Sequence, residues 1–186
     1  IYQSAILLPF LMSMVILSYI VYALLSAENG LVNNTILPLL HIDPIQWYQK
    51  PKYWPAILII ANCWKGVGYG CLIYIASLIG IDPTYYEAAR LDGATKWQEI
   101  TKITLPCLVP TIITLLLLSI GRIFYSDFGL FYQVPMNSGV LFPTTNVIDT
   151  YVYRALIEQG NISMSSAAGV YQLSLIHISE PTRLRR

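Results

Sequence analysis

Glu87, Ala88 and Ala89, then Gly93, then Ile103, Leu105 and Pro106 follow the spacing Glu-Ala-Ala-x3-Gly-x9-Ile-x-Leu-Pro, inside a charged stretch at 82–105 flanked by long apolar segments. These residue types suit contact chemistry. Ala88 and Ala89 leave a narrow surface that can enter a groove on a partner. Glu87, Arg90 and Asp92 can meet partner charges at the rim. Gly93 can adopt the left-handed backbone that ends a helix and sets an angle to the next one. Ile103, Leu105 and Pro106 join that second helix to the following apolar segment, so displacement of the hairpin would be passed on. The alternative from the residues alone is an ordinary solvated loop with capped helices.

Other chemistries find little support. There is no Gly-x4-Gly-Lys-Ser/Thr loop to cradle a phosphate, so any ATP must be bound on another chain and no cofactor is expected on this one. His41 is the only histidine before residue 173, which leaves no Ser–His or Cys–His pair, and an enzyme is not expected. Cys63, Cys71 and Cys107 lie in or beside apolar segments without Cys-x-x-Cys spacing. They are expected to be buried, inert thiols, with no disulfide framework and no metal site. With a net charge of +1, neither a nucleic-acid partner nor a polybasic lipid-binding role is expected.

The elements around the hairpin must be membrane helices. Hydrophobic residues make up 55% of the chain and charged ones 11%, against about 25% charged in soluble domains, and the mean hydropathy is +0.57. A helical crossing needs about 20 apolar residues. Crossings are therefore expected at about 5–25, 54–81 and 106–124, with the start of a fourth from about 163. The fold class is an all-α, polytopic membrane helix bundle.

Within the hairpin, Asp82-Pro83 reads as an N-cap with proline at the first helical position. Thr95-Lys96-Trp97-Gln98 reads as a capping box. Leu31 to Leu40 could form a short surface helix. Trp47, Tyr48, Tyr53 and Trp54 read as an aromatic belt at the bilayer surface, or as rings on which sugars stack. Gly66-x3-Gly70 offers a small-residue face for a neighbouring helix.

Arg90, Lys96 and Lys102 lie in the hairpin, and Lys50 and Lys52 in the 26–53 loop. The positive-inside rule then puts the hairpin in the cytoplasm and 26–53 and 125–160 outside. Lys65 sits ~16 Å along its helix at 1.5 Å per residue. A lysine at such depth costs about 2.5–3.5 kcal/mol on insertion scales and faces a bundle interior. It either pairs with a neighbouring helix or lines a solute path. Arg122, near the far end of its crossing, is placed to snorkel to the outer surface.

The motif resembles, without a gap, the EAA motif of permease subunits from binding-protein-dependent ABC importers. Trp64-Lys65-Gly66-Val67-Gly68, Gly80-Ile81-Asp82-Pro83 and Ile148-Asp149-Thr150-Tyr151-Val152-Tyr153-Arg154 resemble the branch serving polysaccharides and multiple sugars. The resemblance covers residues 1–172 and implies a partial type I importer permease core in a bacterial inner membrane, about three full crossings and the start of a fourth. By that resemblance, 82–105 is the cytoplasmic coupling loop. It further implies separate ATPase subunits, a second permease subunit, an extracellular solute-binding protein and a carbohydrate solute. A fragment of a secondary transporter or channel is the alternative. Arg122 departs from the small residue expected of such permeases. Residues 173–186 resemble translated sequencing-adapter sequence and are expected not to belong to the natural protein.

Overall fold

The computed structural model describes residues 2–122 and 125–179, and every regular element among them is helical. This is the secondary structure that pairs all backbone groups within one segment, as a lipid environment demands. Short helical turns apart, these are in order α1 (Tyr2–Leu11), α2 (Met14–Leu25), a π-helical turn (Val32–Ile36) running into α3 (Leu37–Leu39), α4 (Trp54–Ile79), α5 (Pro83–Leu91) and α6 (Lys96–Glu99). A second π-helical turn (Ile100–Thr104) leads into α7 (Leu105–Gly121). Then come α8 (Phe128–Gln133), α9 (Phe142–Thr145), α10 (Ile148–Tyr153) and α11 (Ile162–Ser179).

Pro51–Ile79 and Lys96–Ile120 are long and apolar enough to cross a membrane. They overlap the expected crossings at 54–81 and 106–124, each starting earlier and ending a few residues sooner; positions 123 and 124 lie outside the described residues. The 5–25 run is a different matter. It is broken at Met12 and Ser13 into α1 and α2, and counts as a crossing only if the two helices form one interrupted span. Apolar content drew one helix over this run, but hydropathy is blind to where backbone pairing stops. Here α2 starts afresh, with Ser13 Oγ accepting from Ile16 N at 3.3 Å. Helix α11 begins at Ile162, where a fourth apolar segment is expected from about 163, and continues to Ser179. The rest of the 173–186 tail lies outside the described residues.

The helices form two compact units, and the boundary between them passes through α4 between Lys65 and Gly66. One unit contains α1 as far as Phe10, α4 from Gly66 onward, and α5 to α7. Its close approach is at Gly68, where an added Cβ would come within 2.7 Å of the Ile6 carbonyl oxygen and 3.1 Å of Phe10 Cβ. Phe10 stacks on Tyr69 beside it, ring centres 5.3 Å apart. The Gly66/Gly70 pair singled out by its spacing has open space at both positions. The glycine that admits a neighbouring helix therefore lies between them. Ser77 and Thr111 hydroxyls, 3.0 Å apart, tie α4 to α7.

The other unit holds Leu11–Lys65 and the chain after α7. Leu17, Val21, Trp54, Leu58, Ala61, Leu130, Val134 and Leu141 form its core. The aromatic residues expected at the bilayer surface are partly inside it. Trp54 is completely buried, and Tyr48 packs edge-on against Tyr22 and Trp54. Trp54 can be buried because its indole N–H reaches the Trp47 carbonyl at 2.9 Å, which removes the desolvation penalty of an unpaired donor. Burial, with Tyr22 adding to it, pushes the Tyr48 phenol above its ordinary range.

Asn33 holds this loop together. Its amide donates to the Ser26 and Ile45 carbonyls (3.1 and 2.9 Å), and its oxygen accepts from Ile45 N and Trp47 Nε1 (3.2 and 3.0 Å). The cysteines differ from expectation in burial: all three are free thiols, but Cys63 and Cys107 are exposed and Cys71 is only half-buried.

Candidate functional site

Each turn of the 82–105 hairpin has a local cause. Asp82 Oδ1 accepts from Thr84 N at 2.9 Å and starts α5 at Pro83. That bond, made to the charged form, holds the Asp82 carboxyl below its usual range. At the other end Gly93, with φ 78°, closes α5. Gly93 N donates to Arg90 O at 3.1 Å and Ala94 N to Ala89 O at 2.9 Å, the paired bonds of a Schellman cap. Thr95 and Gln98 then form the capping box of α6. Pro106 has no N–H to offer Lys102, and the helix passes this point through the widened turn Ile100–Thr104 into α7.

Two links lock the hairpin internally. Glu99, 5% exposed, accepts from Lys96 Nζ at 3.0 Å and Arg90 Nε at 3.1 Å. The Lys96 bond and then the Arg90 bond outweigh desolvation, and the Glu99 carboxyl sits below the usual glutamate range. Tyr86 and Thr104 hydroxyls meet at 2.9 Å, joining α5 to the base of α7. Arg90 is thus engaged within the hairpin, although spacing suggested it for a partner's charges. Glu87 and Asp92 remain exposed, as do Ala88, Gly93, Leu105 and Pro106; Ala89 and Ile103 are half-buried.

Sequence reasoning missed the apolar part of this surface. Leu91 is 89% exposed and Trp97 is 72% exposed, flanking the Gly93 turn. It also missed Glu99, whose pairing with Arg90 spans a turn and follows no helical period. Ala89, Asp92, Gly93, Ala94, Gln98, Glu99, Lys102 and Ile103 line a shallow cleft between the two arms. Among the described residues no group of histidine, cysteine or carboxylate side chains could hold a metal ion.

Lys65, the other candidate, is half-buried, and its ammonium donates to the Met12 carbonyl. Pairing with a neighbouring segment, one of its two readings, therefore has an acceptor atom. Arg154, at the end of the quoted 148–154 run, is 7% exposed. It donates to Asn137 Oδ1 at 3.1 Å, to Thr150 Oγ1 at 3.2 Å and to Asn146 Oδ1, and lies over the Phe142 ring at 4.1 Å. It gathers the loop before α10 onto α10. Met136 and Asn137, both with positive φ, are held in that loop.

Residues 2–180 match the family of binding-protein-dependent transport system inner membrane components. The chain belongs to that family. Among its members, the polygalacturonan/rhamnogalacturonan transport system permease protein YteP of Bacillus subtilis is 32% identical over 178 residues, covering 93% of this chain and 53% of that protein. The lactose transport system permease protein LacF of Rhizobium radiobacter is 32% identical over 154 residues, covering 82% and 51%. A chain of the bacterial alginate ABC transporter, crystallised with its alginate pentasaccharide-bound periplasmic protein, superposes with a TM-score of 0.86 at 34% identity. That superposition covers 96% of this chain and 61% of the other. The chain spans about half the length of the curated relatives it matches. As an inner membrane component it is a helical membrane protein, in agreement with its apolar helices.

Proposed function

We propose that this chain is part of a permease subunit of an ATP-driven importer, and that the 82–105 hairpin is its coupling surface to a separate ATPase subunit. One observation carries the reading. The hairpin is cross-linked within itself, yet presents Leu91 and Trp97 largely exposed and continues without a break into the apolar helix α7. A solvated loop has no need of two large apolar side chains at its tip, whereas a docking element uses them as anchors. Glu87, Ala88, Ala89 and Gly93 form the contact edge, and Ile103, Leu105 and Pro106 pass displacement to α7. The chain itself catalyses no reaction and carries no cofactor; ATP is bound and hydrolysed on the partner.

The solute is a carbohydrate. Relatives are named for polygalacturonan/rhamnogalacturonan and lactose transport, and the superposing transporter for alginate. The complete assembly comprises this permease, a second permease subunit, two ATPase subunits and an extracellular solute-binding protein in a bacterial inner membrane. Co-purification of the full-length permease with a tagged ATPase subunit tests the reading, together with sugar-stimulated ATP turnover in liposomes. Leu91→Ser with Trp97→Ser should abolish co-purification while leaving membrane insertion intact. Full assembly and turnover in that double variant would refute it.

A further inference from the structure

The first apolar run is interrupted in the middle, and two side chains there take the two ends of one of the backbone bonds that the interruption removes. In an uninterrupted helix Ile16 N–H would donate to the Met12 carbonyl. Here Ile16 N–H is taken by Ser13 Oγ at 3.3 Å, and α2 begins with Leu17 N donating to Ser13 O at 3.1 Å. The Met12 carbonyl, left over, is taken by the Lys65 ammonium. Unpaired backbone groups are strongly unfavourable in an apolar surrounding, and non-helical backbone survives at membrane depth only where protein or water supplies partners. A lysine in the middle of an apolar helix is itself unfavourable there unless it finds acceptors. The two unfavourable groups meet and satisfy each other.

We propose that Lys65 is a positioning residue that keeps the first apolar run broken at Met12–Ser13, together with the Ser13 cap. The broken form is a held state. Its alternative is a continuous helix, in which the Met12–Ile16 backbone bond and those of the same turn replace the Lys65–Met12 and Ser13–Ile16 bonds. Met12, Ser13, Ile16 and Lys65 lie in one compact unit. An interruption of this kind, maintained by one charged side chain on a neighbouring helix, is a switchable element of a transport path.

The test is hydrogen exchange at the Met14, Val15 and Ile16 amides in the full-length permease, assembled in lipid nanodiscs with no sugar or nucleotide. Lys65→Met keeps the side chain's length and removes its charge, which makes insertion easier. The double variant Lys65→Met/Ser13→Ala removes both substitutes and should slow exchange at these amides about tenfold or more as the helix closes, with a smaller slowing in Lys65→Met alone. Lys65→Arg, still a donor, should exchange as the parent does. Unchanged or faster exchange in both Met variants overturns the proposal. So does a raised KM for sugar import in Lys65→Met accompanied by parent-like exchange, because that assigns Lys65 to the sugar itself. The exchange experiment needs no solute, so its outcome is separate from that of the importer reading, which is judged by co-purification with the ATPase subunit and by sugar-stimulated ATP turnover.

Discussion

Gly93 allows the hairpin geometry to be tested quantitatively. Its φ of 78° lies in the left-handed region, and a Cβ added there would meet nothing within 4 Å. Substitution therefore introduces no clash within this chain, and the cost is backbone strain alone. For an L-residue in this conformation that strain is about 1–2 kcal/mol, which changes the closed-turn population about 5- to 30-fold. Asparagine, which visits the left-handed region readily, should lose less. Valine, β-branched, should lose more. The assay is hydrogen exchange at the Gly93 and Ala94 amides, whose bonds to Arg90 O and Ala89 O form the cap, measured in the full-length permease. The expected order of protection is Gly, then Asn, then Ala, then Val. Protection in Gly93→Ala equal to that of the parent, or Gly93→Asn falling below Gly93→Ala, would refute the strain argument.

The carboxyl of Glu99 is held below the ordinary glutamate range, so its contribution is complete above the unfolded pKa and disappears as pH falls through the lower, folded one. Amide protection across the hairpin should hold down to the usual glutamate range and weaken below it, and Glu99→Gln should remove the part of that acid dependence seen around α6, leaving the part due to the Asp82 cap of α5. Arg154→Met leaves Asn137 and Asn146 without their charged donor and should lower stability by about 2–3 kcal/mol, read as a lower thermal midpoint of the purified full-length protein. Lysine should rescue it poorly, since one ammonium cannot reproduce the guanidinium fork. Single cysteines at the exposed positions Asp92 and Asp43, in a background lacking Cys63, Cys71 and Cys107, report topology. An impermeant thiol reagent should label position 43 but not position 92 in intact cells, and the reverse pattern would contradict the orientation.

Much of the hairpin was legible before any coordinates, because its signals are local. Asp82-Pro83, Gly93 and the Thr95–Gln98 box each act over one turn of backbone, and the structure places a cap or a turn at every one of them. Apolar length likewise located α4 and α7, since helix formation in lipid follows from hydropathy and span. What required tertiary structure was everything decided by a partner distant in the chain. Glu99 is buried because Arg90 returns to it across the turn. Gly68, and not Gly66 or Gly70, admits a neighbouring helix because Ile6 and Phe10 arrive at that one position. Trp54 and Tyr48 joined the core because the Trp47 carbonyl supplied an acceptor for the Trp54 indole and because Tyr48 packs edge-on against that ring. The break at Met12–Ser13 is invisible to hydropathy because both sides of it are equally apolar. It persists because Lys65, 53 residues further along the chain, supplies the donor that the Met12 carbonyl would otherwise lack.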